Sequence, residues 1–153
     1  TQKLRKAIMS NHIRRPKQYE NMLFELCQSD KKIFLSYKDA LVFAACLGFA
    51  KQSKKSFDKS SEPVGMHIFK GEFDEAIFQC IELAETKDPA NMSDDNLGKR
   101  MKLFEEYAAG GFEIIKSRIY DGPEEWDSAL VGLIIEYEAE EKKILDDITG
   151  MAG

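Results

Sequence analysis

The longest apolar run of the chain, residues 40–50, lies directly before a cluster of lysines. Ser36-Tyr37-Lys38-Asp39 has the form of a capping box, so the sequence predicts a helix over residues 39–49. Because this helix is apolar on all sides, we expect it to form the centre of the core. The run is shorter than the roughly 18–20 residues that cross a bilayer, so no membrane segment is expected.

Four further segments repeat apolar residues at the three- and four-residue spacing of a helix. They are residues 16–28, 73–85, 93–120 and 123–148. Proline at positions 16 and 123 suits the first turn of a helix, whereas residues 64–69 are expected to be a short extended piece. The pattern predicts an all-α fold, a single compact bundle of about five helices. Residues 1–15 would be a basic N-terminal arm or helix, and residues 16–150 one helical domain.

Two adjacent glycines, Gly110 and Gly111, lie in the middle of the fourth predicted helix. Each costs roughly 0.5–1 kcal/mol relative to alanine in a helix interior. We therefore expect either a bend at this point or a neighbouring helix packed close to the bare backbone.

Charge divides the sequence into two unlike halves. Residues 1–70 contain 14 Lys and Arg against 6 Asp and Glu, and residues 71–153 contain 8 against 21. The halves therefore carry net charges of +8 and −13, which sum to the −5 of the whole chain. Such asymmetry is typical of a polyanion-facing side with an acidic far side, or of two surfaces that attract each other in an assembly.

The basic residues of the arm and of the loop after the apolar run are candidates for contact with DNA phosphates. Flexible lysines and arginines neutralise phosphates without fixed geometry. An ordinary solvated surface is the alternative, because the net charge is acidic and no nucleic-acid motif is present. The candidates are Lys3, Arg5, Lys6, Arg14, Arg15, Lys51, Lys54, Lys55 and Lys59.

Acidic residues are concentrated in the last predicted helix. Such a run is most often a solvated helix face, and the alternative is a docking surface for a basic partner or for the basic half of another copy. The candidate partner-binding residues are Glu136, Glu138, Glu140 and Glu141.

The sequence contains few groups that could carry catalysis. His12 and His67 lack a second ligand at metal spacing, and no phosphate-binding, dinucleotide-binding or nucleophile-elbow motif is present. Asp127 with Glu141-Lys142-Lys143 has the residue types of a nuclease metal site, but 14 residues on one helix separate the two acids by roughly 21 Å. We therefore expect no metal, no cofactor and no enzymatic activity.

Cysteine usage and the first residues bear on the cellular compartment. Cys27, Cys46 and Cys80 are an odd number of widely spaced cysteines among apolar neighbours, which suits reduced, buried thiols. Ser10, Asn11 and His12 lie where a signal peptide would be apolar. We expect a cytoplasmic protein.

Four segments resemble the small accessory proteins encoded beside bacterial DNA phosphorothioation (Dnd) and related anti-phage defence genes. They are residues 38–49, 62–64, 81–86 and 104–112. The likeness covers about residues 14–120 and leaves the first dozen residues and the acidic C-terminal helix outside it. It implies a protein working beside the machinery that sulfurates DNA or restricts unmodified DNA, and it supplies no catalytic residues.

These observations lead to one expected function and one alternative. The first is a non-enzymatic accessory protein that contacts double-stranded DNA through the arm and the basic loop and faces proteins of a modification or restriction complex. The alternative is a protein-interaction module or homodimer that does not bind nucleic acid.

Overall fold

A computed structural model describes residues 12–69 and 97–152, and six positions between them: Asp74, Ile77, Phe78, Ile81, Ala84 and Glu85. The elements with defined bounds are strand β1 (His12–Pro16), helix α1 (Glu20–Gln28), helix α2 (Tyr37–Ala50), strand β2 (Ser60–Gly65), helix α3 (Leu97–Ile115) and helix α4 (Trp126–Ala152). Short 3-10 turns at Lys17–Tyr19 and Met66–Ile68 follow the strands, and a π-helical turn at Lys116–Tyr120 follows α3.

The described chain is mostly helical, but it is not the all-α bundle of five helices that the pattern predicted. Within the described residues there are four α-helices of defined extent and a two-stranded sheet. The six isolated positions from Asp74 to Glu85 are also helical, in agreement with the helix predicted there.

Helix α2 begins where the capping box predicted. The Ser36 hydroxyl accepts a hydrogen bond from the Asp39 backbone N–H at 3.2 Å and donates one to Asp39 Oδ2 at 3.1 Å. This satisfies one of the N–H groups that the first turn of a helix leaves without a partner. At the other end Gln52 has a φ of 54°, and the N–H of Ser53 reaches back to the Gly48 carbonyl at 2.8 Å.

Gly110 and Gly111 lie at a close helix crossing. Of the two expectations, a bend or a neighbouring helix packed on the bare backbone, the second is confirmed. A Cβ atom added to Gly111 would lie 1.8 Å from the carbonyl oxygen of Ala44, and one added to Gly48 would lie 2.0 Å from that of Tyr107. Helices α2 and α3 therefore meet backbone to backbone. Ala44, Phe104, Ala108 and Phe112 lie in the core around this crossing with no exposed surface.

The first described residues form a strand, so the arm or helix predicted up to residue 15 is wrong for residues 12–15. Strand β1 pairs antiparallel with β2, with Ile13 opposite Val64 and Arg15 opposite Ser61, and the register shifts between these pairs. Ile13 is fully buried. Local patterning could not reveal this sheet because its strands lie more than 40 residues apart in the sequence.

Three predicted boundaries also move. Helix α1 begins at Glu20 rather than at Pro16, which is the last residue of β1. The extended segment is residues 60–65 rather than 64–69, because the chain turns into a 3-10 helix at Met66. Helix α4 begins at Trp126 rather than at Pro123, and residues 121–124 form bends. Trp126 packs its ring against Tyr120, with 5.6 Å between centroids, at the junction between the π-helical turn and α4.

Candidate interaction surfaces

Arg14, a predicted phosphate contact, is engaged with a buried carboxylate. Its backbone N–H donates to Glu105 Oε2 at 2.6 Å and its Nε donates to Oε1 at 3.0 Å. The guanidinium also lies 4.6 Å from the centre of the Phe57 ring. Burial raises the pKa of Glu105, and the hydrogen bonds and charge of Arg14 oppose that rise. Arg14 thus holds β1 against α3.

Arg15 lies inside the fold and not on a basic surface. Only 7% of it is exposed, its guanidinium lies 4.2 Å from the centre of the Tyr37 ring, and its Nε donates to the Glu62 carbonyl at 2.7 Å. It therefore ties β1 to β2 and to the start of α2.

The predicted basic loop is paired with acids of its own chain. Lys51 Nζ lies 2.8 Å from Glu140 Oε2, Lys54 Nζ lies 2.6 Å from Glu85 Oε1, and Lys55 Nζ lies 3.6 Å from Glu113 Oε2. The two oppositely charged halves of the sequence therefore meet within one molecule. The loop backbone is fixed too, since Lys55 N–H donates to the Glu106 carbonyl at 3.0 Å.

Around Lys54 the pairing extends to a tyrosine. The Tyr107 hydroxyl donates to Glu85 Oε2 at 2.7 Å. Burial and this carboxylate raise the pKa of Tyr107 to about 12, whereas the hydrogen bonds from Lys54 and then Tyr107 lower the pKa of Glu85. Glu85 is thus ionised at neutral pH and holds both donors.

Lys59 differs from the other predicted phosphate contacts. It is exposed, and the described part of the chain gives its ammonium no carboxylate partner. Its carbonyl accepts the Lys17 N–H at 2.9 Å, which places beside it a second exposed lysine that has no carboxylate partner among the described residues. Sequence reasoning did not include Lys17. Lys3, Arg5 and Lys6 lie outside the described residues.

The four predicted acidic contacts of α4 divide into two pairs. Glu136 binds Arg118 through both carboxylate oxygens, which lowers its pKa, and Glu140 binds Lys51. Glu138 and Glu141 are exposed and form no ion pair within the described residues. The paired residues fasten α4 to the body of the protein, and the other two face solvent.

A groove between α2 and α4 lies beside these two glutamates. It has a volume of about 400 Å³. Its lining is Phe43, Cys46, Leu47, Leu133, Ile134, Tyr137, Glu138 and Glu141. Cys46 is exposed here, so the expectation of a buried thiol is wrong for it, although the neighbouring apolar side chains raise its pKa by desolvation. Cys27 is buried as predicted, with a pKa raised to about 11, and Cys80 lies outside the described residues.

Large apolar side chains continue along α4 beyond the groove. Ile144, Leu145 and Ile148 are each more than half exposed, and every residue from Glu141 to Gly150 is exposed. This end of α4 therefore carries an apolar side that is open to solvent. The sequence showed these apolar residues returning after the acidic run, but it could not show that they are exposed.

The described residues contain no group of three or more His, Cys, Asp and Glu that could hold a metal ion. Asp127 and Glu141 lie on the single helix α4, where 14 residues separate them by about 21 Å. No helix within the described ranges has both the length and the hydropathy to cross a membrane.

Comparison with known proteins places the chain in a family. No curated protein and no solved structure matches it. A family model described as DNA sulphur modification system-associated protein 4 matches residues 12–149. The match extends through most of α4, so the acidic C-terminal helix, expected to lie outside the family likeness, lies within it. The chain therefore belongs to the DNA sulphur modification system-associated protein 4 family.

Proposed function

We propose that this chain is a non-enzymatic accessory protein that binds another protein of a DNA sulphur modification system through α4. The observation that carries the proposal is the row of exposed apolar side chains at the end of that helix, Ile144, Leu145 and Ile148. Contiguous exposed apolar surface is unfavourable in water and usually marks an interaction site. The family description supports a partner within the modification system.

The ion pairs of the basic side chains favour a protein, rather than a nucleic acid, as the principal partner. Arg14, Lys51, Lys54 and Lys55 already hold carboxylates of the same chain. A phosphate would have to compete with each of those carboxylates. The apolar surface of α4 needs no such exchange, because its side chains are already exposed to solvent.

Co-expression with the proteins of the modification system tests this function. In pairwise co-purifications we expect one of them to be retained by the intact chain. Replacing Ile144, Leu145 and Ile148 together by Ser should reduce that retention at least tenfold, because a few buried apolar anchors carry most of an interface. Leu35→Ser is the matched control, since Leu35 is 84% exposed but lies before α2.

Two outcomes would contradict the proposal. One is that no protein of the system is retained by the intact chain. The other is that the triple serine variant, with its helical content unchanged by circular dichroism, retains the partner as well as the Leu35→Ser control does.

We also propose DNA-phosphate contact as a second function, centred on Lys17 and Lys59. Their backbones are hydrogen bonded, both side chains are exposed, and neither has a carboxylate partner within the described residues. Lys3, Arg5 and Lys6 precede β1 in the sequence and belong to the same proposal. Lys55 can join it, because an exposed ion pair such as Lys55–Glu113 is worth no more than about 1 kcal/mol.

Fluorescence anisotropy with duplex DNA across a salt series tests this contact. Each phosphate neutralised contributes about 0.9 to the slope of log K against log salt. Replacing Lys17 and Lys59 by Ala should therefore lower the slope by roughly 2. Lys142→Ala with Lys143→Ala, which removes the same charge from α4, should leave it unchanged. Equal slopes for the two double variants, or no binding at low salt, would rule out this contact.

A further inference from the structure

We propose that the α2–α4 groove and the uncovered end of α4 together bind an amphipathic helix with basic flanks, supplied by the partner protein. This inference rests on the proposed protein-binding function and deepens it by naming the chemistry of the bound segment. It is carried by the shape, spacing and charge of one continuous surface.

The groove supplies an apolar floor. Phe43 and Leu47 come from α2, and Leu133, Ile134 and Tyr137 come from α4. Leu133 is only 2% exposed, whereas Tyr137 is 40% exposed. The floor is therefore built into the core on one side and open to solvent on the other. An incoming apolar side chain can remove surface from water here without rearranging the core.

The uncovered end of α4 extends this floor on the same face. At about 100° per residue, Ile148 falls within the arc between Ile134 and Tyr137, and Ile144 and Leu145 lie within about 20° of its two edges. Ile135 lies about 180° around the helix from Ile144 and belongs to another face. The apolar side chains thus form one stripe from Ile134 to Ile148.

The spacing of this stripe fits a second helix. Positions 134, 137, 141, 144 and 148 alternate steps of three and four, which is the heptad seam along which two helices pack. The stripe is about 21 Å long at 1.5 Å per residue, so a helix of about 14 residues would cover it. Glu141 is the single charged position of the seam.

The charge at the edges selects the partner. Glu138 and Glu141 line the groove and have no ion pair within the described residues, and Asp147 lies beside the seam. Glu140 is already paired with Lys51 and is not part of this set. A second copy bound through a two-fold axis would present the same acidic surface to itself, because such an interface uses one patch twice. Lysine or arginine flanks on the incoming helix would instead complement these carboxylates, and a basic residue opposite Glu141 would fix the register.

Three synthetic peptides test the inference with the intact chain. The first is a helix of about 18 residues with Leu at the two seam positions of each heptad and Lys elsewhere. The second has the same composition in scrambled order, and the third has Glu in place of Lys. By fluorescence anisotropy, we expect the first peptide to bind at least tenfold more tightly than either of the others.

Substitutions on the protein locate the bound helix. Ile144→Ser with Ile148→Ser should weaken binding of the first peptide at least tenfold, and Ile135→Ser, on the opposite face of α4, should not. The charge-reversed variant Glu138→Lys with Glu141→Lys should bind the Glu peptide more tightly than the Lys peptide. That reversal of preference cannot result from misfolding, which would weaken both.

A site-specific readout comes from Cys46, which lines the groove. Bound Leu-Lys peptide should slow alkylation of Cys46 several-fold, as mapped by mass spectrometry, because it covers the groove. The Glu peptide should give no protection. Protection of Cys46 and the reversal of charge preference together would place the helix in the groove.

The inference would be overturned by equal affinity for the three peptides, or by binding that survives the Ile144→Ser, Ile148→Ser change. A dimer in light scattering that the same change dissociates would also overturn it, since the stripe would then be occupied by a second copy. Its failure is distinguishable from failure of the proposed function. If a protein of the system still binds through α4 without sensitivity to Glu138 and Glu141, the function stands and the basic helix does not.

Discussion

Gly111→Ala is expected to destabilise the protein by more than about 3 kcal/mol. The new methyl group would lie 1.8 Å from the Ala44 carbonyl oxygen and 2.5 Å from its carbonyl carbon. Both are backbone atoms of α2, so no side chain can rotate to make room. The helices would have to separate, and inserting even one methyl group into a packed core typically costs 1–3 kcal/mol before such a backbone shift is added.

Both helices contribute glycines to the crossing, so a small displacement of α3 would not relieve the clash of the new methyl group with Ala44. Gly48 of α2 lies against the Tyr107 carbonyl of α3, with a hypothetical Cβ distance of 2.0 Å, and Gly110 lies against the Ser53 carbonyl at 1.9 Å. Sliding α3 away from Ala44 would also disturb Lys55, whose N–H binds the Glu106 carbonyl. Loosening this crossing would therefore release the loop that carries Lys54 and Lys55.

Urea denaturation followed by circular dichroism measures this effect, and Gly132→Ala is the matched control. Gly132 is also inside a helix, α4, but a Cβ added there meets no atom within 4 Å. Alanine at position 132 should therefore stabilise by about 0.5–1 kcal/mol, the ordinary gain over glycine in a helix. If the two substitutions changed the free energy of unfolding in the same direction, the close backbone contact would not explain the glycine at position 111.

The helical part of the fold was predictable because its causes are local. The capping box at Ser36 and the amphipathic spacing of α1 and α3 act within a few residues, so the sequence displays them directly. The two adjacent glycines indicated a close contact, because glycine lowers the stability of a helix interior. They did not indicate that α2 is the neighbouring helix. That assignment needed the three-dimensional crossing.

The sheet and the ion pairs were not predictable because their partners are distant in the sequence. Arg14 and Glu105 are 91 residues apart, and Lys51 and Glu140 are 89 apart. A list of charges shows two opposite halves but not whether they meet within one molecule or between two. The burial of Arg15 was not predictable from its neighbours in the sequence. Its guanidinium packs on Tyr37, which belongs to helix α2.

The exposed apolar face of α4 was predictable only in part. Its apolar positions and its acidic flanks were visible in the sequence, and their grouping on one face follows from helical periodicity. Whether such a face is buried depends on what packs against it. Only the structure shows that α2 and α4 leave a groove beside Glu138 and that Ile144, further along α4, is exposed.

Arg14→Ala should destabilise the protein by about 1–3 kcal/mol at neutral pH, more than the loss of an exposed ion pair would. The side chain of Glu105 is only 6% exposed, so removal of Arg14 leaves a desolvated carboxylate without its cation. The Arg14 side chain is 35% exposed, and water entering its place lowers the cost below that of a fully buried pair. Lys55→Ala is the control, because Lys55 and Glu113 are both more than half exposed and its loss should cost less than about 0.5 kcal/mol.

The pH dependence of this loss identifies its cause. Burial already raises the pKa of Glu105 above its ordinary 4.5, so the folded state binds its proton more tightly than the unfolded state does. The stability linked to this group is therefore greatest below pH 4.5 and falls as pH rises through the folded-state pKa. Replacing Arg14 by Ala removes the guanidinium charge and the Nε hydrogen bond, which lower that pKa, and leaves the backbone N–H bond to Glu105 in place. The folded-state pKa of Glu105 then rises further, so more stability is lost as the pH rises towards neutral.

The difference in stability between wild type and Arg14→Ala should consequently be small at low pH and grow towards neutral pH, in urea titrations at a series of pH values. Glu105→Gln should remove that growth, because a glutamine has no proton to lose. In the double variant, Arg14→Ala should then cost nearly the same at every pH. A cost of Arg14→Ala that is independent of pH with Glu105 intact would assign the effect to the lost packing on Phe57 instead.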